Sequence, residues 1–273
     1  MYNKNNIREP EVKMKKAIVA NGLQKWLITA VFIFVFSAPW LTAAELQAIK
    51  LNPPSLKRGL PLMEALAVKA SAREFSEKEL SLQDLSDLLW AADGINRPQE
   101  NKSTASSAMN AHDIRIYVFM KEGAYLYEAP KHELLPVLAG DFRSQLTMAR
   151  PPRPATPPAA PAAPSPGTIP PAPPAATAAP AAPPSPPPAP SNPPVQIVLV
   201  SDSERFRRGA PEQKFEWGAL DAGIISQNIS LFCAATGLKT VPRAMIDKTK
   251  IKELLKLADT QTIFLNHPVG YAK

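Results

Sequence analysis

From Pro151 to Pro194 the chain reads PPRPATPPAAPAAPSPGTIPPAPPAATAAPAAPPSPPPAPSNPP, a stretch that holds 21 of its 32 prolines. Proline has no amide hydrogen to give to a helix or an inner strand, so this low-complexity tract cannot join a packed core. Fully extended as polyproline II at ~3.1 Å per residue, it would reach on the order of 130 Å. It leaves about 106 residues before it, from Glu45, and about 79 after it, from Val195, each small for a domain. Together the two pieces have the size of one ordinary domain. The tract is therefore either a spacer between two units or a loop that leaves one fold and returns to it.

The formal charge of +7 comes in part from the first residues (Lys4, Arg8, Lys13, Lys15, Lys16, Lys25). No basic stretch is interleaved with aromatic residues, so nucleic acid is not an expected partner. Cys233 is the lone cysteine, which excludes an intramolecular disulfide and a cysteine zinc cluster. His112, His132 and His267 have no ligand spacing and read as surface or loop residues, so no metal is expected. A short basic segment, MKKAIVANGLQK, precedes the uncharged run WLITAVFIFVFSAPWLTAA. That is the pattern of a secretory signal, with small residues placed for cleavage after Ala44 and Met14 as a candidate start. The expected location is exported and periplasmic. The alternative is an uncleaved inner-membrane anchor facing the periplasm, since a run of this length can just cross a bilayer.

Periodicity places a helix over 61–69 and a second over 81–92, with Ser81 as N-cap, Asp84 in the acidic capping position and Gly94 past the end. IRIYVFM and AYLYEA, joined by KEG, form a hairpin. HELLPVLAGDFRSQLTMA carries a helical pattern up to the prolines. Beyond them VQIVLV is a strand, 221–238 a long helix ended by Gly237, KTVPRAM extended, DKTKIKELLKLA a helix capped by Asp247, and QTIFLNHPVGY a last strand. This mixture of antiparallel and crossover links predicts an α+β fold with a mostly antiparallel central sheet flanked by helices. No P-loop and no glycine-rich dinucleotide fingerprint occurs.

One short stretch carries chemistry. In VKASAREF the residues Lys69, Ser71 and Arg73 alternate where helix gives way to extended chain, so three groups suited to an anion can face one way. A plainer reading is open as well: a basic residue at a helix C-terminus complements the dipole, and Arg73 has Glu74 and Glu77 within reach.

MEALAVKASAREFSEKELSLQDLSDLLWAADGINR, with SSAMNAHDIRIYVF after it, resembles the start of the nitroreductase family of FMN flavoproteins. Past the prolines, WGALDAGIISQNISLFCAATGLKTVPRAMID is similar to the family's long central helix and Gly-Leu turn, and PVGY to its closing strand. The resemblance is strongest to the azoline-oxidising (SagB/ThcOx-type) branch and to exported nitroreductase-like proteins. Because it covers Leu62 to Tyr271 on both sides of the tract, it implies one domain, 45–273, interrupted by a disordered insertion at 151–194.

The resemblance implies an FMN-dependent oxidoreductase that exchanges hydride at the flavin N5 with a small organic substrate or acceptor. It further implies a homodimer with flavin at its interface and NAD(P)H or another molecule as electron donor or acceptor. Lys69, Ser71 and Arg73 would hold the phosphate and ribityl chain. Ser107 and Asn110 would reach the flavin of the partner subunit, and the backbone at Arg243, Ala244 and Met245 would lie beside N5. The catalytic centre would be the flavin itself, so the lack of a Ser/His/Asp or paired-carboxylate motif does not argue against an enzyme. Departures from the family pattern are Ala70 for a basic or polar residue, Ser106 for proline, His112 for glutamine and Met245 for glycine. Trp90, Phe232 and Cys233 read as core. Two other functions remain open: a flavin-binding member without catalysis, and a membrane-anchored envelope interaction protein with a proline-rich spacer.

Overall fold

The computed structural model describes residues 45–146 and 193–273; the expected signal segment and nearly all of the proline tract lie outside these residues. In chain order the elements are β1 (Ile49–Lys50), α1 (Leu62–Val68), α2 (Leu82–Asp93), β2 (Ile95–Arg97), β3 (Lys102–Ser103), β4 (Ile114–Phe119), β5 (Gly123–Glu128) and β6 (Glu133–Ala139). After the tract come β7 (Val195–Asp202), α3 (Pro211–Thr236), β8 (Lys239–Thr240), α4 (Lys248–Leu255) and β9 (Gln261–Gly270). Seven strands form one sheet in the order β1-β6-β5-β4-β7-β9-β8, antiparallel throughout, and β2 and β3 make a small ribbon beside it. Among the described residues no helix is long and apolar enough to cross a membrane.

The run after the prolines, β7, sits mid-sheet between β4 and β9, and its period of two serves two cores at once. Val195, Ile197 and Leu199 face one side, with Leu85, Leu88 and Leu89 of α2 and Ile225, Ile229 and Cys233 of α3. Val198 and Val200 face the other, with Tyr117, Phe119 and Ile251 and Leu255 of α4. The sheet is thus covered on both faces, which is why β7 is apolar without polar alternation.

Arg143 ties the two edges of the proline tract. Its guanidinium donates to the carbonyls of Pro193 (3.3 Å) and Pro194 (3.1 Å), and its own carbonyl accepts from the Gln196 side chain. The strands before and after the tract belong to the same sheet, β4 pairing with β7 from Ile114–Ser201 to Phe119–Gln196.

Two expectations need correction. HELLPVLA is not helix but strand β6, paired with β5 from Gly123–Ala139 to Glu128–Glu133. Its Leu134, Leu135, Val137 and Leu138 do recur at helical spacing, but Pro136 at the centre would remove a helical hydrogen bond, and a strand accommodates it at a register irregularity. The long helix begins ten residues before Asp221, at Pro211. There proline occupies the first turn, where no amide is needed, and the Gln213 side chain accepts from the Ala210 amide at 3.0 Å. At the far end Gly237 takes φ 80°, the left-handed cap that closes α3. The other caps follow the sequence: Ser81 Oγ accepts from the Asp84 amide (3.1 Å), and Asp247 accepts from the Lys250 amide (2.9 Å).

Candidate functional site

The end of α1 leads into the site. The Leu60 amide donates to the carbonyl of Ala235 (2.9 Å), which holds α1 at the C-terminal end of α3. From Lys69 the chain is extended and lies against β8: the Ala72 amide donates to the Thr240 carbonyl (3.0 Å), and Ser71 forms a parallel bridge with Thr240. Three residues past Thr240, Arg243 exchanges both backbone hydrogen bonds with Asn266 of β9, each 2.8 Å. The two segments 69–73 and 240–245 are therefore fixed side by side.

This placement brings two arginines together. Partial burial, and then the positive charge of Arg73, push the Arg243 guanidinium below its ordinary pKa. Among the described residues Lys69, Arg73 and Arg243 have no side-chain hydrogen bond or ion pair, so Glu74 and Glu77 do not neutralise Arg73. Arg58 shows the contrast: it is clasped by Asp84 (2.5 Å) and Asp87 (2.8 Å). Just past Arg243 lie Ala244 and Met245, both exposed, Met245 at 77%. Their main-chain amides have no acceptor among the described residues.

Behind this surface stands a residue that the sequence had placed outside. His267 is buried in β9, where its Nε2 meets Ser226 Oγ of α3 (2.8 Å) and its Nδ1 meets Thr240 Oγ1 of β8 (3.2 Å). Burial pushes its pKa down to about 4, so the ring is neutral and bridges two hydroxyls. It pins the strand on which Ser71 and Ala72 rest. His132 is half-buried and receives the Tyr127 hydroxyl at 2.9 Å.

Ser107 and Asn110 stand elsewhere. Ser107 Oγ accepts from the His112 amide (3.0 Å), Asn110 Nδ2 donates to the Asn101 carbonyl (3.2 Å), and His112 Nε2 donates to the same carbonyl (2.9 Å). Asn101, Met109, Asn110 and His112 all have φ near 50°, a left-handed backbone that costs a side-chain-bearing residue about 1 kcal/mol or more. The loop is anchored where the Ala108 amide donates to Asp221 Oδ2 (2.8 Å). Among the described residues no hydrogen bond or ion pair links Ser107 or Asn110 to Lys69, Arg73 or Arg243.

At the level of Asp221 the structure collects three carboxyls that lie far apart in the chain and share no local pattern. Asp113 is fully buried, and its Oδ2 accepts from Ser201 Oγ at 2.5 Å. Its Oδ1 has no partner among the described residues except by facing Asp221. Burial, above all, pushes Asp113 up to about 7, with Asp221 adding to it, and raises Asp221 too. A proton carried by Asp113 and donated to Asp221 satisfies both. Asp93, bonded to Ser103 Oγ (2.6 Å), is pushed by burial to about 6. Among the described residues no three His, Cys, Asp or Glu side chains are arranged to hold a metal. Cys233 is buried, its thiol pushed up by desolvation, and Phe232 packs against the core.

In sequence and fold the chain is similar to known proteins. The sequence pattern of the nitroreductase family matches residues 66–271, on both sides of the prolines. A Methanocaldococcus jannaschii protein assigned as a nitroreductase is 23% identical over 217 residues, which cover 77% of this chain and 91% of that one. A crystal structure from Ralstonia eutropha, likewise assigned as a nitroreductase, superposes with a TM-score of 0.64 at 26% identity, covering 84% of this chain and 90% of the other. A chain of the E. coli microcin synthetase complex shares the fold at 14% identity, with a TM-score of 0.54 over 81% of this chain and 79% of that one.

Proposed function

Since this chain belongs to the nitroreductase family of oxidoreductases, we propose that it is an FMN-dependent enzyme that exchanges two electrons with a small organic substrate or acceptor. The observation that carries this reading is the pair Arg73 and Arg243, held side by side with no anion of the protein's own. Arginine cannot relieve such a conflict by losing its proton, so the pair calls for an external anion, and guanidinium groups match phosphate oxygens two at a time. Lys69 and the Ser71 hydroxyl, both exposed beside them, add donors of the same kind.

FMN, when bound, supplies the redox chemistry through its N5. The chain's share is to hold it. Arg73, Arg243, Lys69 and Ser71 would take the phosphate and ribityl end. The free amides of Ala244 and Met245 are donors suited to the polar edge of a flavin ring, and the left-out glycine at position 245 places an exposed thioether where a substrate would approach. His267, by fixing Thr240, keeps the Ser71–Arg73 segment in register with Arg243.

The same reading includes a homodimer. Leu62 and Met63 of α1 and Phe215, Leu220 and Ile224 of α3 are exposed apolar side chains, Met63 at 74% and Leu220 at 60%. Exposed apolar side chains on two helices suit contact with a second copy. In such a dimer Ser107 and Asn110 would serve the flavin of the other protomer, consistent with their making no hydrogen bond to the basic group of their own. With an exported chain, as the leader suggests, the electrons would come from a donor other than the cytosolic nicotinamide pool.

The test is to load the purified full-length chain with FMN, remove the excess, and record its visible spectrum and its turnover of a dye acceptor. Retained flavin absorbance with turnover is expected. A colourless protein ends the flavin reading, and retained flavin without turnover under any donor favours a flavin-binding member that has lost catalysis.

A further inference from the structure

The central sheet is split at one end. Pairing of β4 with β5 runs from Phe119–Ala124 only as far as Tyr117–Leu126, although β4 begins at Ile114 and β5 continues to Glu128. Beyond that point β4 stays with β7 as far as Ile114–Ser201, and β5 stays with β6 as far as Glu128–Glu133. The two limbs diverge, and a cavity of about 140 Å³ fills the fork.

Its charged walls are unusual for a gap in a sheet. Arg115 comes from one limb and Glu128 from the other; Asp93 enters from α2, His112 from the neighbouring loop, and Arg205 from the turn after β7. The Nε of Arg115 is buried without a hydrogen-bond partner, and no part of its guanidinium is bonded or ion-paired among the described residues. Glu128, on the facing limb, is not within 4.0 Å of it, or an ion pair would be present. Arg205 spends its Nε on the Ala111 carbonyl (3.2 Å) and has no other partner there. A buried guanidinium nitrogen left unbonded is destabilising, more so when charged, so an occupant that accepts from it is favoured.

The chemistry of the walls narrows that occupant. Two guanidinium groups select a carboxylate or a phosphate. The carboxyl groups of Asp93 and Glu128 on the same walls oppose a doubly charged phosphate and offer acceptors to a donor group on the ligand. The volume suits a molecule of a few heavy atoms. We infer that the fork between β4 and β5 is a binding site for a small monocarboxylate that carries a neighbouring hydroxyl or amino group. The site involves neither Arg73 nor Arg243 and does not depend on the flavin reading.

The test is calorimetric titration of the full-length chain, with and without FMN, using glycolate and glycine as probes and acetate and inorganic phosphate as comparisons. Saturable binding of glycolate or glycine, tighter than that of acetate and phosphate, is expected. Arg115→Met should weaken it by about tenfold or more, the loss of one charged hydrogen bond, and Arg205→Ala should weaken it in the same direction. FMN affinity should be unchanged in Arg115→Met, whose side chain touches no residue assigned to the flavin. Unaltered glycolate and glycine binding in both variants would overturn the inference. So would phosphate binding as tightly as glycolate, or probe binding that disappears in an Arg73→Ala, Arg243→Ala chain. A chain that never retains flavin but binds glycolate through Arg115 removes the flavin reading and keeps this one.

Discussion

The molecule gathers like charges twice and treats them in opposite ways. Around Asp221 three carboxyls are buried together, and a proton can resolve the conflict: burial pushes Asp113 up to about 7, so it can carry that proton and donate to its neighbour. Around Arg73 and Arg243 the charges are cationic, nearer the surface, and beyond the reach of any proton equilibrium near neutrality. The first cluster is complete within the chain and works as a fastening, since Asp221 holds the Ser107–Asn110 loop through the Ala108 amide. The second is incomplete without a ligand. Titratable like charges can thus be structural, whereas fixed like charges with no counterion mark a binding site.

The largest effect is expected at the basic cluster. An Arg73→Ala, Arg243→Ala chain should bind FMN about a hundredfold more weakly or worse, having lost two charged hydrogen-bond donors at ~1.5–3 kcal/mol each. Without flavin its melting temperature should be unchanged or slightly higher, because a repulsion has been removed. Fluorescence titration and a melting curve check both; a flavin-free chain that melts well below the parent would mean the arginines were structural after all.

A smaller effect is expected at the acidic cluster. Asp113 ionises at about 7 in the fold against 3.8 ordinarily, so its contribution to stability is complete below about pH 4 and is lost as the pH rises through 7. Asp113→Asn cannot ionise and can still donate to Asp221. Between pH 4 and pH 8 the variant should therefore gain on the parent, by at least about 3 °C in melting temperature, the shift that ~1 kcal/mol gives in a chain of this size. The opposing influence of buried His267 is common to both chains and largely cancels in the difference. Parallel profiles would show that no proton is shared.

How much of this was legible in the sequence depended on whether the signal was local. Ser81, Asp247 and Gly237 announced their helix ends because a cap is a matter of neighbouring residues, and Lys69, Ser71 and Arg73 stood out by alternation. β6 was misread because its leucines fit two periods, and only pairing with β5 decides between them; Pro136 was the available warning. Arg243 was reached only through family resemblance, since its approach to Arg73 depends on a sheet that joins positions far apart in the chain. Nothing local could have shown that Asp93, Asp113 and Asp221 meet, or that His267 turns inward, because these contacts join α2, α3 and the sheet across positions far apart in the chain. The fork at Arg115 was equally hidden: IRIYVFM reads as an uninterrupted strand.

Arg73 and Arg243 are proposed to receive the phosphate of FMN. The measurement that tests it most directly is the affinity of the full-length chain for FMN set against riboflavin, which has the same ring and no phosphate. Binding of FMN about a hundredfold tighter, with the preference shrinking as salt screens the charges, is the predicted result. Equal affinity for the two flavins would contradict it.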